Sequence, residues 1–443
     1  MQLIFDCLEL SAQKYADKEA LVCGKDRMSF GQFNCLANKV ANFLVGSGIP
    51  KGGRVGIILR RSNEYVCVDF GIMKAGGCYV PIDHAFPLER MFQIISDCQI
   101  RIIFTDALTC RKIMRATDIP ASLKDVVLMD DPGQPFADTR LNIIPFEKVR
   151  LGQDTFARQQ HGVIDSDLAY IMHTSGSTGK PKGVMISHGN IMTFIRWCQY
   201  KLEISCEERL LNLTPFTFDV SGLDIFNTVV SGATMVITDP YPVINKVFAC
   251  MRNEKITFVS TVPTNIGLML SQPQLFQEYD LSSIKTFASG AAVCPPIFMK
   301  QLHDYLPQAK LYNLYGPTEA TIYCAYYQVD PALIDVNRPL PIGIPFENTE
   351  SYVVDVEGKE VPTGEIGELI LRGPQVSCGY FNDPEKTEAA FRPFVIMPHL
   401  NEKVYHTGDM VKKDEEGNVH FLGRRDDMIK SRGYRIELNE IEI

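Results

Sequence analysis

The stretch LAYIMHTSGSTGKPKGVMISH, Leu168 to His188, runs from an apolar segment into Thr174, Ser175, Gly176, Ser177, Thr178, Gly179 and Lys180, with Lys182 just past Pro181. Hydroxyls, ammonium groups and closely approachable glycine N–H groups on one loop are what a chain of phosphates needs as donors. The same residue types also make ordinary surface loops. This is no Walker A loop: counting from Gly176, the positions that require Gly and Lys hold Pro181 and Lys182. A second cluster, Asn313-Leu314-Tyr315-Gly316-Pro317-Thr318-Glu319, follows an apolar run. There Tyr315 could stack on a base, Thr318 could hold a phosphate oxygen, and Glu319 could bind Mg²⁺, which takes one or two carboxylates beside substrate phosphates. A buried tyrosine and a solvated glutamate on a turn is the plainer alternative.

Three more groups carry charge in telling places. Asp409, in Tyr405-His406-Thr407-Gly408-Asp409, sits on a turn where a carboxylate can accept from both hydroxyls of a ribose. Asp219 lies among Phe216, Val220 and Leu223, and a buried carboxylate demands a cation or donors, unless it caps a helix starting near Ser221. Arg424 offers a planar donor fork for ribose or phosphate, or else plain surface charge.

The elements that must position these groups alternate between strand and helix. Ser29 and Gln32 form a capping box ahead of the stripe Phe33, Leu36, Ala37, Val40 and Leu44, and Gly46 closes that helix. Strands are expected at 54–59, 78–82 and 101–105, with helices near 65–73 and after Pro87. Residues 130–167 read as a loose surface connection. Alternation resumes with strands at 234–237, 256–259, 286–288 and 310–314, and from about 346 the texture becomes short antiparallel strands joined by Gly-bearing turns. The expected fold class is α/β: two helix-covered, mostly parallel sheets plus a small antiparallel, barrel-like β subdomain. The expected boundaries are 1–187, 188–345, 346–422 and 423–443.

Composition bounds the function. With 443 residues, 45% hydrophobic and 22% charged, the sequence is that of a multi-domain globular protein. A formal net charge of -9 argues against a general nucleic-acid binder. No basic, apolar leader opens the sequence and no stretch of 18 apolar residues occurs, so neither a signal peptide nor a membrane span is expected. The 13 cysteines include no C-x-x-C pair and read as small buried hydrophobes in a reducing cytoplasm.

In order and spacing, seven segments resemble the adenylate-forming superfamily, specifically the amino-acid-activating domains of nonribosomal peptide synthetases and stand-alone D-alanine:carrier protein ligases. They are KAGGCYVPIDHAFPLER at 74–90, the opening loop, FTFDVSGLDIF at 216–226, NLYGPTEATI at 313–322, GELILRGPQVSCGYF at 367–381, YHTGD at 405–409 and GRRDDMIKSRGYRIELNEIE at 423–442.

The resemblance implies ATP-dependent formation of an aminoacyl-adenylate with release of pyrophosphate, then thioester transfer to a phosphopantetheinylated carrier protein. It implies ATP and Mg²⁺, with no nucleic-acid or membrane partner. The loop from Thr174 to Lys182 becomes a mobile cover over the β- and γ-phosphates, and Lys182 joins Thr318 and Glu319 as catalytic residues. Gly290 and Ala291, with Tyr315, fall at the adenine site, Asn313 and Gly316 among the other ATP-binding residues, Asp409 and Arg424 at the ribose, and Glu319 at the metal. Asp219 falls where amino-acid activators hold the α-ammonium. Val220, Leu223, Ser260, Phe287, Ser289, Leu314, Ile322 and Tyr323 complete the pocket, whose neutral lining implies a neutral, apolar substrate side chain. Asp426 falls at the hinge of a C-terminal lid. The family's catalytic lysine lies in that lid and the sequence stops before it, implying weakened adenylation and no efficient thioester transfer by this chain as given. An acyl-CoA or aryl-CoA ligase of the same superfamily is the first alternative, and a non-catalytic nucleotide-binding protein the second.

Overall fold

A computed structural model describes residues 3–134, 136, 140–156, 162–174, 181–238, 243–397, 400–425, 428–431 and 434–437. The chain divides into two compact units. One takes Met1–His173 and Met185–His188, the other Thr174–Val184 and Gly189–Ile443. Among the described residues no helix is long and apolar enough to cross a membrane.

The first unit is built on a sheet in which strands Asn142–Pro145, Asp125–Leu128, Ile102–Thr105, Arg54–Ile58 and Cys78–Pro81 lie side by side and parallel, with Leu168–Thr174 beyond Cys78–Pro81. Their middle strands are buried at every position but Arg54 because helices cover a parallel sheet on both faces. Helix Phe30–Gly46 begins at the expected capping box: the Ser29 hydroxyl accepts from Gln32 N, and Ser29 N donates to the Gln32 side chain at 2.9 Å. It packs on helix Asn63–Lys74, which is buried at every position but Glu64. Lys74 ends that helix as a caged cation, its Nζ donating to Glu9 Oε1 at 2.6 Å, Asn34 Oδ1 at 2.9 Å and Asn38 Oδ1 at 2.8 Å. The lysine of the first matched segment therefore ties helices together.

The region expected to be a plain connection, 130–167, contains strand Asn142–Pro145 and the short helix Phe146–Arg150. The strand is a half-exposed edge, so no apolar alternation announces it, while Phe146 and Val149 anchor the helix by burial.

In the second unit, neighbours from Thr234–Ile237 through Arg209–Asn212, Phe258–Thr261, Thr286–Ser289 and Lys310–Tyr315 run parallel, and Ala325–Val329 and Ile344–Pro345 add antiparallel strands at one edge. A separate antiparallel sheet follows, ordered Glu350–Val354, Ile366–Arg372, Leu400–Lys413 and Phe391–Met397, with Val419–Arg424 also pairing to Leu400–Lys413. Val354, Ile370 and Val404 form its core.

Candidate active site

Strand Lys310–Tyr315 delivers the central cluster. After Tyr315 the chain turns at Gly316, where a Cβ would collide with the Ile322 carbonyl and Tyr323 Cα, so only glycine lets the turn fold back on itself. The 3-10 turn Thr318–Ala320 follows, with Thr321 left-handed at φ 57°. Gln375, fully buried, clamps this turn: its amide donates to Ala320 O at 2.8 Å and Thr321 O at 3.1 Å, while the Thr321 hydroxyl donates to Gln375 O at 2.7 Å. Asn190 holds the same segment from the other side through Pro374 O at 2.7 Å and Val376 O at 3.0 Å.

On this turn Glu319 is completely buried. The Tyr380 hydroxyl donates to Glu319 Oε1 at 2.6 Å, and Lys182 Nζ stands 3.6 Å from the same oxygen. The same ammonium lies 4.9 Å above the Tyr380 ring. Thr318 is half-buried beside them. The fit to Mg²⁺ is chemical: a single hard carboxylate, already oriented by a donor, suits an ion that takes its other ligands from phosphates and water. Among the described residues no group of three or more His, Cys, Asp or Glu could hold a metal unaided.

Tyr315 and Arg424 converge on Asp409. The Tyr315 hydroxyl donates to Asp409 Oδ2, and Arg424 donates to Asp409 Oδ1 at 2.7 Å and to Thr407 O at 2.7 Å. Antiparallel pairing puts Asp409 opposite Arg424, which is why residues from two strands meet. Burial, then the Asp409 charge, pushes the Tyr315 phenol well up, so it stays a donor. Glu368 supports the turn, accepting from Gly408 N at 3.0 Å and Arg425 at 3.0 Å. A cavity of about 490 Å³ opens here, walled by Ala291, Asn313, Tyr315, Gly316, Asp409 and Arg424. Pro339, Leu340, Ile342 and Phe421 add an apolar wall that no motif announced, and Leu314, expected in the substrate pocket, also lines this cavity. Gly290 does not line the cavity; the Tyr323 hydroxyl sits where its Cβ would be.

Asp219 is buried just ahead of helix Ser221–Ser231, whose N-cap position is held by Val220. Its charge, after burial, helps push the Tyr323 phenol up, with Ser260 close to the same hydroxyl. Ile322 reaches Gly222 on that helix. Asp219, Ser260, Ile322 and Tyr323 thus share one neighbourhood, with Leu223, Phe287, Ser289 and Leu314 also buried on the adjoining elements. Thr174 ends its strand half-buried. Ser175, Gly176, Ser177, Thr178, Gly179 and Lys180 of the loop, and Asp426 of the expected hinge, lie outside the described residues.

A profile of the AMP-binding enzymes matches residues 8–381. This chain belongs to the AMP-binding enzyme family. As such it is 33% identical over 439 residues to the L-proline--[L-prolyl-carrier protein] ligase of Streptomyces coelicolor, covering 98% of this chain and 80% of that protein. It is also 33% identical over 443 residues to bacitracin synthase 1 of Bacillus licheniformis, covering 99% of this chain but 8% of that much longer protein. Among solved structures, the AMP-binding enzyme fold is shared with the anthranilate CoA ligase AuaEII in complex with anthranoyl-AMP, at a TM-score of 0.84 and 26% identity over 100% of this chain and 81% of that one. The nonribosomal peptide synthetase FmoA3 gives 0.81 and 25%, over 96% and 42%. The two parallel sheets and the antiparallel sheet are therefore the family's architecture, as expected from the sequence.

Proposed function

We propose that this AMP-binding enzyme activates the carboxylate of an amino acid with ATP, forming an aminoacyl-adenylate and releasing pyrophosphate, and that the aminoacyl group then passes to the phosphopantetheine thiol of a carrier protein. The observation that carries this reading is the meeting of Tyr315, Asp409 and Arg424 on one cavity, with Glu319 four residues beyond Tyr315 and paired to Lys182. That arrangement suits a nucleoside at one end and its phosphates at the other.

In this reading Asp409 accepts from the ribose hydroxyls and Arg424 steadies it. A substrate carboxylate oxygen forms a bond to the α-phosphorus, and the bond from that phosphorus to the oxygen bridging the β-phosphate breaks. Two anions must meet, so positioning and positive charge supply the rate. Lys182 brings one such charge and the Thr318 hydroxyl holds an α-phosphate oxygen. Glu319 would hold Mg²⁺, which when bound neutralises phosphate charge. The loop from Thr174 to Lys182 is assigned to the leaving pyrophosphate, and Asp426 to the hinge of the lid.

Asp219 supports an amino acid as substrate, because a buried carboxylate is costly without a cation and an α-ammonium supplies one. Val220, Leu223, Ser260, Ile322 and Tyr323 are buried around it and add no charge, which fits a neutral side chain. A second reading, an aryl-CoA ligase, draws on the likeness to the anthranilate CoA ligase. ATP/pyrophosphate exchange by the full-length protein, screened over the proteinogenic amino acids, their D-forms and aryl acids, decides between them. The expected result is exchange dependent on one or a few amino acids. Exchange supported only by acids lacking an amine would transfer the assignment to the second reading.

A further inference from the structure

Segment 373–381 leaves strand Ile366–Arg372 and runs back along Lys182–Val184, joined by the bridge between Val184 and Tyr380 and by Phe381 N donating to Gly183 O at 2.8 Å. This docking brings Tyr380 to the two charged groups of the phosphate end, 61 residues from Glu319 and 198 from Lys182 in sequence. The phenol is 5% exposed and its ring is fixed edge-on against Phe391, with centroids 5.9 Å apart. Its hydroxyl donates to Glu319 Oε1 at 2.6 Å and accepts from Lys182 Nζ at 3.5 Å, and its ring face lies 4.9 Å from that ammonium.

An ammonium and a buried carboxylate left to themselves close to about 2.7–2.9 Å. Here they stand 3.6 Å apart, with the phenol hydroxyl already on the shared oxygen. We infer that Tyr380 is a positioning residue that keeps Lys182 from collapsing onto Glu319, leaving the carboxylate able to bind Mg²⁺ and the ammonium able to meet the phosphates. The ring attracts the cation while the hydroxyl satisfies the anion, so both charges are held without cancelling one another. This inference rests on the ATP-Mg²⁺ reading of the site.

Tyr380→Phe keeps the ring and its packing and removes only the hydroxyl. The test is equilibrium binding of ATP by the full-length protein across a Mg²⁺ titration, alongside binding of AMP without metal. Wild type should bind ATP more tightly as Mg²⁺ rises. In Tyr380→Phe the Mg²⁺ concentration giving half of that gain should increase about tenfold or more, the cost of one hydrogen bond to a charged group, while AMP affinity stays within about twofold. In pyrophosphate exchange the same variant should lose kcat and need more Mg²⁺, with the amino-acid KM unchanged. A Mg²⁺ dependence equal to wild type overturns the inference, and so does an equal loss of AMP affinity, which marks a merely structural role. If wild-type ATP binding ignores Mg²⁺, the reading of the site itself falls, and this inference with it.

Discussion

The hydroxyl of Tyr315 donates to the Oδ2 oxygen of Asp409, so the strand that carries the central turn and the antiparallel sheet are joined at the wall of the cavity of about 490 Å³. The aromatic wall and the proposed ribose acceptor are thus one assembly, and each fixes the angle of the other.

Removing the hydroxyl should therefore weaken nucleotide binding even though the ring remains. Tyr315→Phe is expected to lower AMP affinity about tenfold, in the range for a hydrogen bond to a charged group. Asp409→Ala, which strips an acceptor from both Tyr315 and Arg424, should lower it further. Calorimetric titration with AMP measures both, and unchanged affinity in Asp409→Ala would remove the ribose assignment.

The ammonium assignment predicts a different signature. Asp219→Ala should leave AMP binding intact and depress amino-acid-dependent exchange about 100-fold, since a charge-assisted partner is lost from a buried site. Exchange at wild-type rate in that variant would show that Asp219 does not hold the substrate's amine.

His173 makes the first unit sensitive to acid. The half-buried imidazole has Cys98 Sγ 3.7 Å away, and desolvation, then the Arg90 charge, lowers its pKa to about 4. The unfolded chain takes up that proton near pH 6.5. A folded value below the unfolded one means the contribution is whole above about pH 6.5 and is lost as pH falls through the window down to about 4, a change on the order of 3 kcal/mol. Unfolding midpoints of wild type and His173→Gln at pH 7 and pH 5 test this: the variant should lose less on acidification, and parallel losses would rule His173 out.

Lys74 commits its ammonium to Glu9, Asn34 and Asn38, so its substitution should show in stability alone. Lys74→Met leaves the buried Asn38 amide oxygen and Glu9 without their ammonium. Glu9 is one-third exposed and can rehydrate, so the loss should be about 2–3 kcal/mol, short of a fully buried pair. A lower urea midpoint with unchanged slope and unchanged AMP affinity is the expected outcome. Loss of AMP binding under conditions where the variant is folded would contradict it.

Much of this architecture was legible in the residues. Strands such as Thr234–Ile237 and Ile102–Thr105 are short, almost wholly apolar and fully buried runs, as a covered parallel sheet requires, and Ser29 with Gln32 announced a helix start that the structure realises. Asn142–Pro145 was hidden because an exposed edge strand needs no pattern. Of the site, Tyr315, Asp409 and Arg424 could be named singly, yet nothing in the sequence said that they touch. Tyr380 was harder still: it lay inside a matched segment, but its pairing with Glu319 arises only when the 373–381 segment docks on the turn. Asp219 as a helix cap was chemically reasonable: the helix does start at Ser221, but Val220 takes the N-cap position.

The pairing of Asp409 opposite Arg424 depends on the bulge between Met410 and Val411 and on the tight link at Asp414–Asn418, where Asn418 N donates to Asp414 Oδ1 at 2.7 Å. Side chains alternate across a strand, so shifting this hairpin by one residue would turn the guanidinium to the opposite face and set Gly423 against the carboxylate. For anyone recombining such enzymes, the hairpin is thus a poor place to splice: a crossover there that changes loop length by a single residue could preserve the sheet, the stability and every named functional side chain, and still deliver a protein blind to nucleotide.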